Sequence, residues 1–110
     1  METFYIYIMT NKWKSVLYIG VTNDLERRVF EHKGRFDKKS FTARYNCDRL
    51  VYYEGHPSIL EAIAREKGLK KYKREWKDEL INNFNPEWVD LAADWFDPKE
   101  FEMYRKFDKE

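Results

Sequence analysis

The sequence predicts an α+β domain: a small, mostly antiparallel three-stranded sheet flanked by helices, in the order β-β-α-β-α-α. Three observations lead there. Residues 4–9 and 16–21 are rich in aromatic and β-branched residues, alternate between two faces and are joined by a short polar link. Residues 50–54 form a third run of the same character. The segments between and after them place apolar residues at three- and four-residue spacing behind capping residues, as amphipathic helices do.

A chain of 110 residues suits one compact domain, and 43% hydrophobic with 18% aromatic residues supplies a core of bulky rings. No apolar run approaches the roughly 18 residues of a membrane helix. The first residues lack the basic start and apolar stretch of a secretory signal, so the cytoplasm is the default compartment. Cys47 is the single cysteine, which excludes an intrachain disulfide and a thiolate zinc cluster. The net charge of +1 hides an asymmetry. Residues 1–74 carry 16 Lys/Arg against 9 Asp/Glu, and residues 75–110 carry 5 against 11. A basic body is compatible with phosphate binding, and solvated surfaces carry charge in any case. Residues 1–90 read as one domain, and 91–110 as an acidic, aromatic extension packed on it.

In the first strand Tyr5, Tyr7 and Met9 share a face, and in the second Val16, Tyr18 and Gly20 do. If Met9 faces Val16, Tyr7 lies across from Tyr18. Asn23 then caps a helix, with Glu26 completing a box-like signature. Leu25, Arg28, Val29 and His32 share one face of it, and Gly34 ends it. Residues 35–46 set basic residues between Phe36, Phe41 and Tyr45, as an exposed loop or short helix. Ser58 and Glu61 form a capping box for a helix running to about Lys73, weakened by Gly68 by ~1 kcal/mol relative to Ala. A further helix covers 75–82, Pro86 opens a short turn, and residues 100–107 read as helical.

Several polar residues stand where a helix or strand serving stability alone would not put them. Glu66 shares a sector with Ile59, Ala62 and Ile63, and a carboxylate there must be paired, metal-bound or protonated. A salt bridge to a nearby Arg satisfies that demand as well as a metal does. Arg28 and His32 share the stripe of Leu25 and Val29, either inside it or extending from its edge to water. Tyr7 and Tyr18 are ordinary sheet residues by composition, and Gly20 in a strand suggests close approach by a backbone or ligand. Phosphodiester hydrolysis could employ all of these types. Tyr relays a proton if cationic neighbours lower its pKa. Arg fits phosphate oxygens with its planar fork. A carboxylate holds Mg²⁺ or Mn²⁺, with water and phosphate completing the shell.

Taken in order, these residues resemble the GIY-YIG nuclease superfamily. Tyr5-Ile6-Tyr7 stands where the GIY triplet would be, and Tyr18-Ile19-Gly20 matches YIG eleven residues later. Arg28 follows the YIG tyrosine by ten residues and His32 comes four further on. Ala62-Ile63-Ala64-Arg65-Glu66 is similar to the helix bearing the family's metal-binding glutamate, and Asn85-Pro86-Glu87-Trp88 to small stand-alone bacterial members akin to the nuclease domain of the repair excinuclease. The resemblance covers roughly residues 3–90. It implies a GIY-YIG-like fold and a divalent-metal-dependent endonuclease acting on DNA, with structured or damaged DNA in repair or recombination as the context. The alternative is a catalytically weak or inactive nucleic-acid-binding module. By the same resemblance Tyr7 and Tyr18 form the active-site pair, Arg28 binds the scissile phosphate, His32 supports it and Glu66 holds one Mg²⁺ or Mn²⁺. Gly20 lets the backbone pass close to the site. The basic residues Lys33, Arg35, Lys38, Lys39 and Arg44 are the expected nucleic-acid contacts. One departure stands out: the first glycine of GIY is Tyr5 here.

Overall fold

The computed structural model describes residues 2–108. The chain runs β1 (Phe4–Thr10), β2 (Leu17–Thr22), α1 (Leu25–Gly34), α2 (Phe41–Arg44), β3 (Arg49–His56), α3 (Ile59–Lys70), α4 (Arg74–Phe84) and α5 (Pro98–Asp108). The strands form one wholly antiparallel sheet in the order β2-β1-β3. This is the α+β class that the patterning predicts. The segment left open as loop or short helix contributes α2, and the C-terminal helical region becomes α5.

The sheet is buried on both sides, and the alternation of its strands decides what each side meets. Ile6, Ile8 and Ile19 pack with Ala62, Leu69 and Ile81 of α3 and α4. Tyr7 and Met9 pack with Leu25 and Val29 of α1, and with Leu50 and Cys47. β1 is the central strand, so Ile6, Tyr7, Ile8 and Met9 are all fully buried.

The hairpin register differs from the sequence expectation by two residues: Met9 faces Tyr18 and Tyr7 faces Gly20. The cause lies in the connecting loop. The Asn11 side chain closes it, accepting from Ser15 N at 2.9 Å and donating to Ser15 Oγ at 2.8 Å, while Lys14 takes a left-handed φ of 58°. A shift of two preserves the side-chain period, so both phenols stay on one face. The cap of α1 also moves by one residue. Asp24, not Asn23, accepts from Arg27 N, because β2 runs on to Thr22 and leaves Asn23 in the turn. Gly34 is the last residue of α1, but the left-handed position is Arg35 (φ 52°). A Cβ on Gly34 would meet the Phe36 ring at 2.3 Å. α3 stops at Lys70, earlier than expected, with residues 71–73 turning into α4.

Two polar side chains, Asn85 buried and Asp90 half-buried, anchor the irregular stretch after α4. Asn85 donates to Val51 O at 3.1 Å and Val89 O at 2.8 Å, and accepts from Val89 N. Asp90 accepts from Leu50 N and Ala92 N, both at 3.0 Å. Beyond it, Phe101 of α5 stacks on Phe30 of α1 with ring centroids 4.8 Å apart, and Arg105 donates to Gly34 O at 2.8 Å.

Candidate active site

Four of the five candidate catalytic side chains meet on the α1 side of the sheet. Tyr7 rises from β1 and passes over Gly20 of β2. Its Oη lies 2.7 Å from His32 Nε2, and His32 Nδ1 lies 2.9 Å from Thr42 Oγ1. Tyr18 stands beside them, its ring centroid 6.1 Å from that of Tyr7 and 5.3 Å from that of His32. Phe41 of α2 covers the same ring at 5.9 Å. Arg28 lies one helical turn before His32, near enough for its charge to act on Tyr7. The helix places these groups together because residues 25, 28, 29 and 32 share its inward stripe. Leu25, Val29 and His32 are buried, and Arg28 is half-buried at its upper edge.

The two tyrosines differ in access. Tyr7 is 0% exposed, whereas Tyr18 is half-buried and reaches solvent. Burial pushes the Tyr7 phenol well above its ordinary value, with Tyr18 adding to the shift and Arg28 opposing it too weakly to reverse it. The lowering of a tyrosine's pKa that cationic neighbours lead one to expect therefore does not occur at Tyr7: desolvation outweighs the guanidinium. His32 moves the other way. Burial, then the Arg28 charge, takes it down to about 4, partly opposed by Glu31. It is a neutral imidazole at pH 7. As a neutral ring it donates through one nitrogen and accepts through the other, so the Tyr7 and Thr42 hydroxyls take opposite roles in their bonds to it.

Glu31 and Thr42 are the site residues that sequence reasoning missed. Glu31 accepts from Arg28 Nη1 at 2.8 Å and orients the guanidinium. Its i,i+3 spacing from Arg28 was a readable signal. Thr42 is buried against His32 from a segment read as exposed, and nothing local to its sequence marks it.

Glu66 belongs to the other layer. Ala62 and Leu69, one turn to either side of it, bury against Ile6, Ile8 and Ile19. Glu66 is thus held toward the sheet, with its side chain 17% exposed and Lys70 Nζ at 3.6 Å. The Arg partner considered for it does not form: Arg65 pairs instead with Glu54, Nε to Oε1 at 2.7 Å. Among the described residues, no hydrogen bond or ion pair joins Glu66 to Tyr7, Tyr18, Arg28 or His32. Nor do three or more His, Cys, Asp or Glu side chains group as a metal cage.

The expected nucleic-acid contacts divide. Lys38, Lys39 and Arg44 are exposed on the segment whose Phe41 covers Tyr18. Arg35 is partly committed to Asp48 at 2.9 Å. Lys33 is a correction: its ammonium is ion-paired with Asp90 and donates to Asp48 O at 3.0 Å, with its side chain only 15% exposed. The α1 face turns it inward, so it ties the helix to the segment after α4.

The GIY-YIG catalytic domain family matches residues 3–82 of this chain. A UPF0213 protein of Haloquadratum walsbyi is 38% identical over 76 residues, covering 69% of this chain and 83% of its own length. One from Clostridium perfringens is 38% identical over 79 residues, covering 72% and 83%. One from Staphylococcus saprophyticus is 35% identical over 82 residues, covering 74% and 98%. The solution NMR structure of a UPF0213 protein from Bacillus halodurans is 26% identical, with a TM-score of 0.49, over 84% of this chain and 97% of that one. With the family's domain spanning the sheet, α1 and α3, the chain belongs to the GIY-YIG family, which is a family of nucleases.

Proposed function

We propose that this protein is a divalent-metal-dependent endonuclease that hydrolyses phosphodiester bonds in DNA, structured or damaged DNA being the substrate class. The observation carrying this reading is the pairing of a buried hydrogen-bonded chain, Tyr7–His32–Thr42, with two side chains that a substrate can reach, Tyr18 and Arg28.

Access and charge divide the roles. Tyr18 orients the attacking water. The Arg28 fork binds the non-bridging oxygens of the scissile phosphate, Glu31 fixing its approach. Tyr7 and neutral His32 are positioning residues, fixing the floor on which Tyr18 rests. Lys38, Lys39 and Arg44 neutralise flanking phosphates.

Glu66 is the residue that would hold Mg²⁺ or Mn²⁺. A single carboxylate does not make a resident site, but it suits a hard cation whose other ligands are water and substrate phosphate. Such an ion, when bound, supplies stabilisation of negative charge on the reacting phosphate. Helix α3 lies against β2, the edge strand that also carries Tyr18, so a phosphate crossing that edge can meet both layers. Lys70, 3.6 Å from the Glu66 carboxylate, is the side chain that would compete with such an ion for it.

The test is cleavage of plasmid, flapped, nicked and single-stranded DNA with and without Mg²⁺ or Mn²⁺. The expected result is cation-dependent cutting that Glu66→Ala abolishes. Undiminished cutting by Glu66→Ala contradicts the proposal. The separation of Glu66 from the other four groups favours one second reading, a nucleic-acid-binding module without catalysis. Salt-sensitive binding with no cleavage under any cation would support it.

A further inference from the structure

Two features of the sequence are unused by hydrolysis: Tyr5 in place of the first glycine of GIY, and Trp95 in Asp94-Trp95-Phe96-Asp97. Both line one recess. It is an open hollow of about 550 Å³ bounded by Tyr5, Asn23, Asp24, Leu25, Glu26, Tyr53 and Trp95. Tyr5 and Tyr53 meet edge to face with centroids 6.3 Å apart.

The recess adjoins the candidate active site. Tyr5 lies two residues before Tyr7 on the same face of β1, a separation of roughly 7 Å along the strand. The two rings lean apart. Tyr7 lies over Gly20 of β2, and Tyr5 lies toward Gly55 of β3, its ring 3.6 Å from a Cβ built there. Tyr53 stands opposite Tyr7 in the β1–β3 register. Arg28 lies one turn of α1 beyond Leu25. A strand whose phosphate rests on Arg28 therefore brings a neighbouring nucleotide to the mouth of the recess.

The chemistry of the lining selects what enters. No Lys or Arg lines it, so it does not fit a phosphate. Three aromatic rings offer stacking surfaces, which suit any unstacked base. Glu26 is exposed and makes no ion pair or side-chain hydrogen bond among the described residues. A carboxylate accepts hydrogen bonds and gives none. We propose that the recess receives an unpaired base of the nucleotide next to the cut, and that Glu26 favours guanine. The N1–H and N2–H donors of guanine form a two-pronged edge like that of a guanidinium, whereas thymine offers one N–H between two carbonyls. This rests on the proposed nuclease function for its position, and on the lining alone for its ligand.

The experiment measures binding by fluorescence anisotropy, without divalent cation, of short single-stranded oligonucleotides. They are identical except for one central site carrying guanine, thymine or no base. Wild-type protein should bind the guanine oligomer about tenfold more tightly than the abasic one, a factor typical of one stacked base. Thymine should fall between. Trp95→Ala should remove the advantage of either base over the abasic site, and Glu26→Gln only that of guanine over thymine, with abasic affinity unchanged. Glu26 is a surface side chain, so this variant folds independently of its effect on binding. Equal wild-type affinity for all three oligomers overturns the proposal, as does a guanine preference that survives Glu26→Gln. Because no cutting is needed, failure of the nuclease reading appears separately, as absent cleavage with base preference intact.

Discussion

Tyr7 lies across Gly20 so closely that a Cβ on the glycine would stand 2.5 Å from both Cζ and Oη of the phenol. These are ring atoms held by a 2.7 Å hydrogen bond to His32, not the loose end of a flexible chain. Gly20→Ala must therefore displace the ring and break its alignment with the imidazole. Overpacking of this kind costs about 1–3 kcal/mol. Urea denaturation should show a loss in that range, and cleavage should fall further than the unfolded fraction explains. A variant of wild-type stability and activity would mean the ring moves freely.

His32 should titrate far below an ordinary histidine. Its folded pKa of about 4 lies under the unfolded 6.5, so between these values the unfolded chain binds more protons than the folded one. The contribution to stability is complete above pH 6.5 and is lost as pH falls toward 4. It is on the order of 3 kcal/mol, from about 1.4 kcal/mol per pKa unit. NMR titration of the His32 ring should show a midpoint near 4, and His32→Gln should flatten that part of the stability profile. A midpoint near 6.5 would show that the ring is solvated.

Removing Lys33 should destabilise the fold rather than merely weaken DNA binding. Its ammonium and the Asp90 carboxylate are both mostly buried, and losing one leaves the other unpaired. The cost is about 3 kcal/mol or more. Asp90→Asn should be comparably damaging: its one oxygen can still accept from Leu50 N and Ala92 N, but an amide NH2 then faces the Lys33 ammonium. Thermal unfolding measures both, and an unchanged melting temperature for Lys33→Ala would return that residue to the DNA-facing set.

The exposed trio Lys38, Lys39 and Arg44 should behave oppositely. Changing all three to Ala should leave the melting temperature within a few degrees. It should lower the slope of log affinity against log salt by roughly 0.7–0.9 for each phosphate no longer neutralised. An unchanged slope would place the DNA elsewhere.

What could be read from the sequence follows from periodicity. Strand alternation and the helical stripe put Tyr7, Tyr18, Arg28 and His32 on one side of the sheet, because those periods survive a two-residue change of register. The register itself was not readable, since it depends on how Asn11 folds the loop over Ser15. Thr42 was hidden for a related reason: its role is set by α2 closing over His32, a hydrogen bond spanning ten residues that no local pattern carries. Lys33 looked like surface charge because no helical rule announces a partner 57 residues away. The placement of Glu66 shows the limit most plainly. Its stripe announced that it faces inward, but not which of the two layers it faces.

If Tyr18 and Arg28 act on one phosphate, a double-mutant comparison must show it. Single-turnover cleavage rates would be measured for Tyr18→Phe, Arg28→Ala and the double variant, at saturating cation and matched folded fraction. Each single change should slow cleavage by about 10²–10⁴-fold. The double should be little slower than the worse single, as groups working as a unit behave. Rate losses that multiply fully in the double variant, or single variants as fast as wild type, would contradict a shared phosphate.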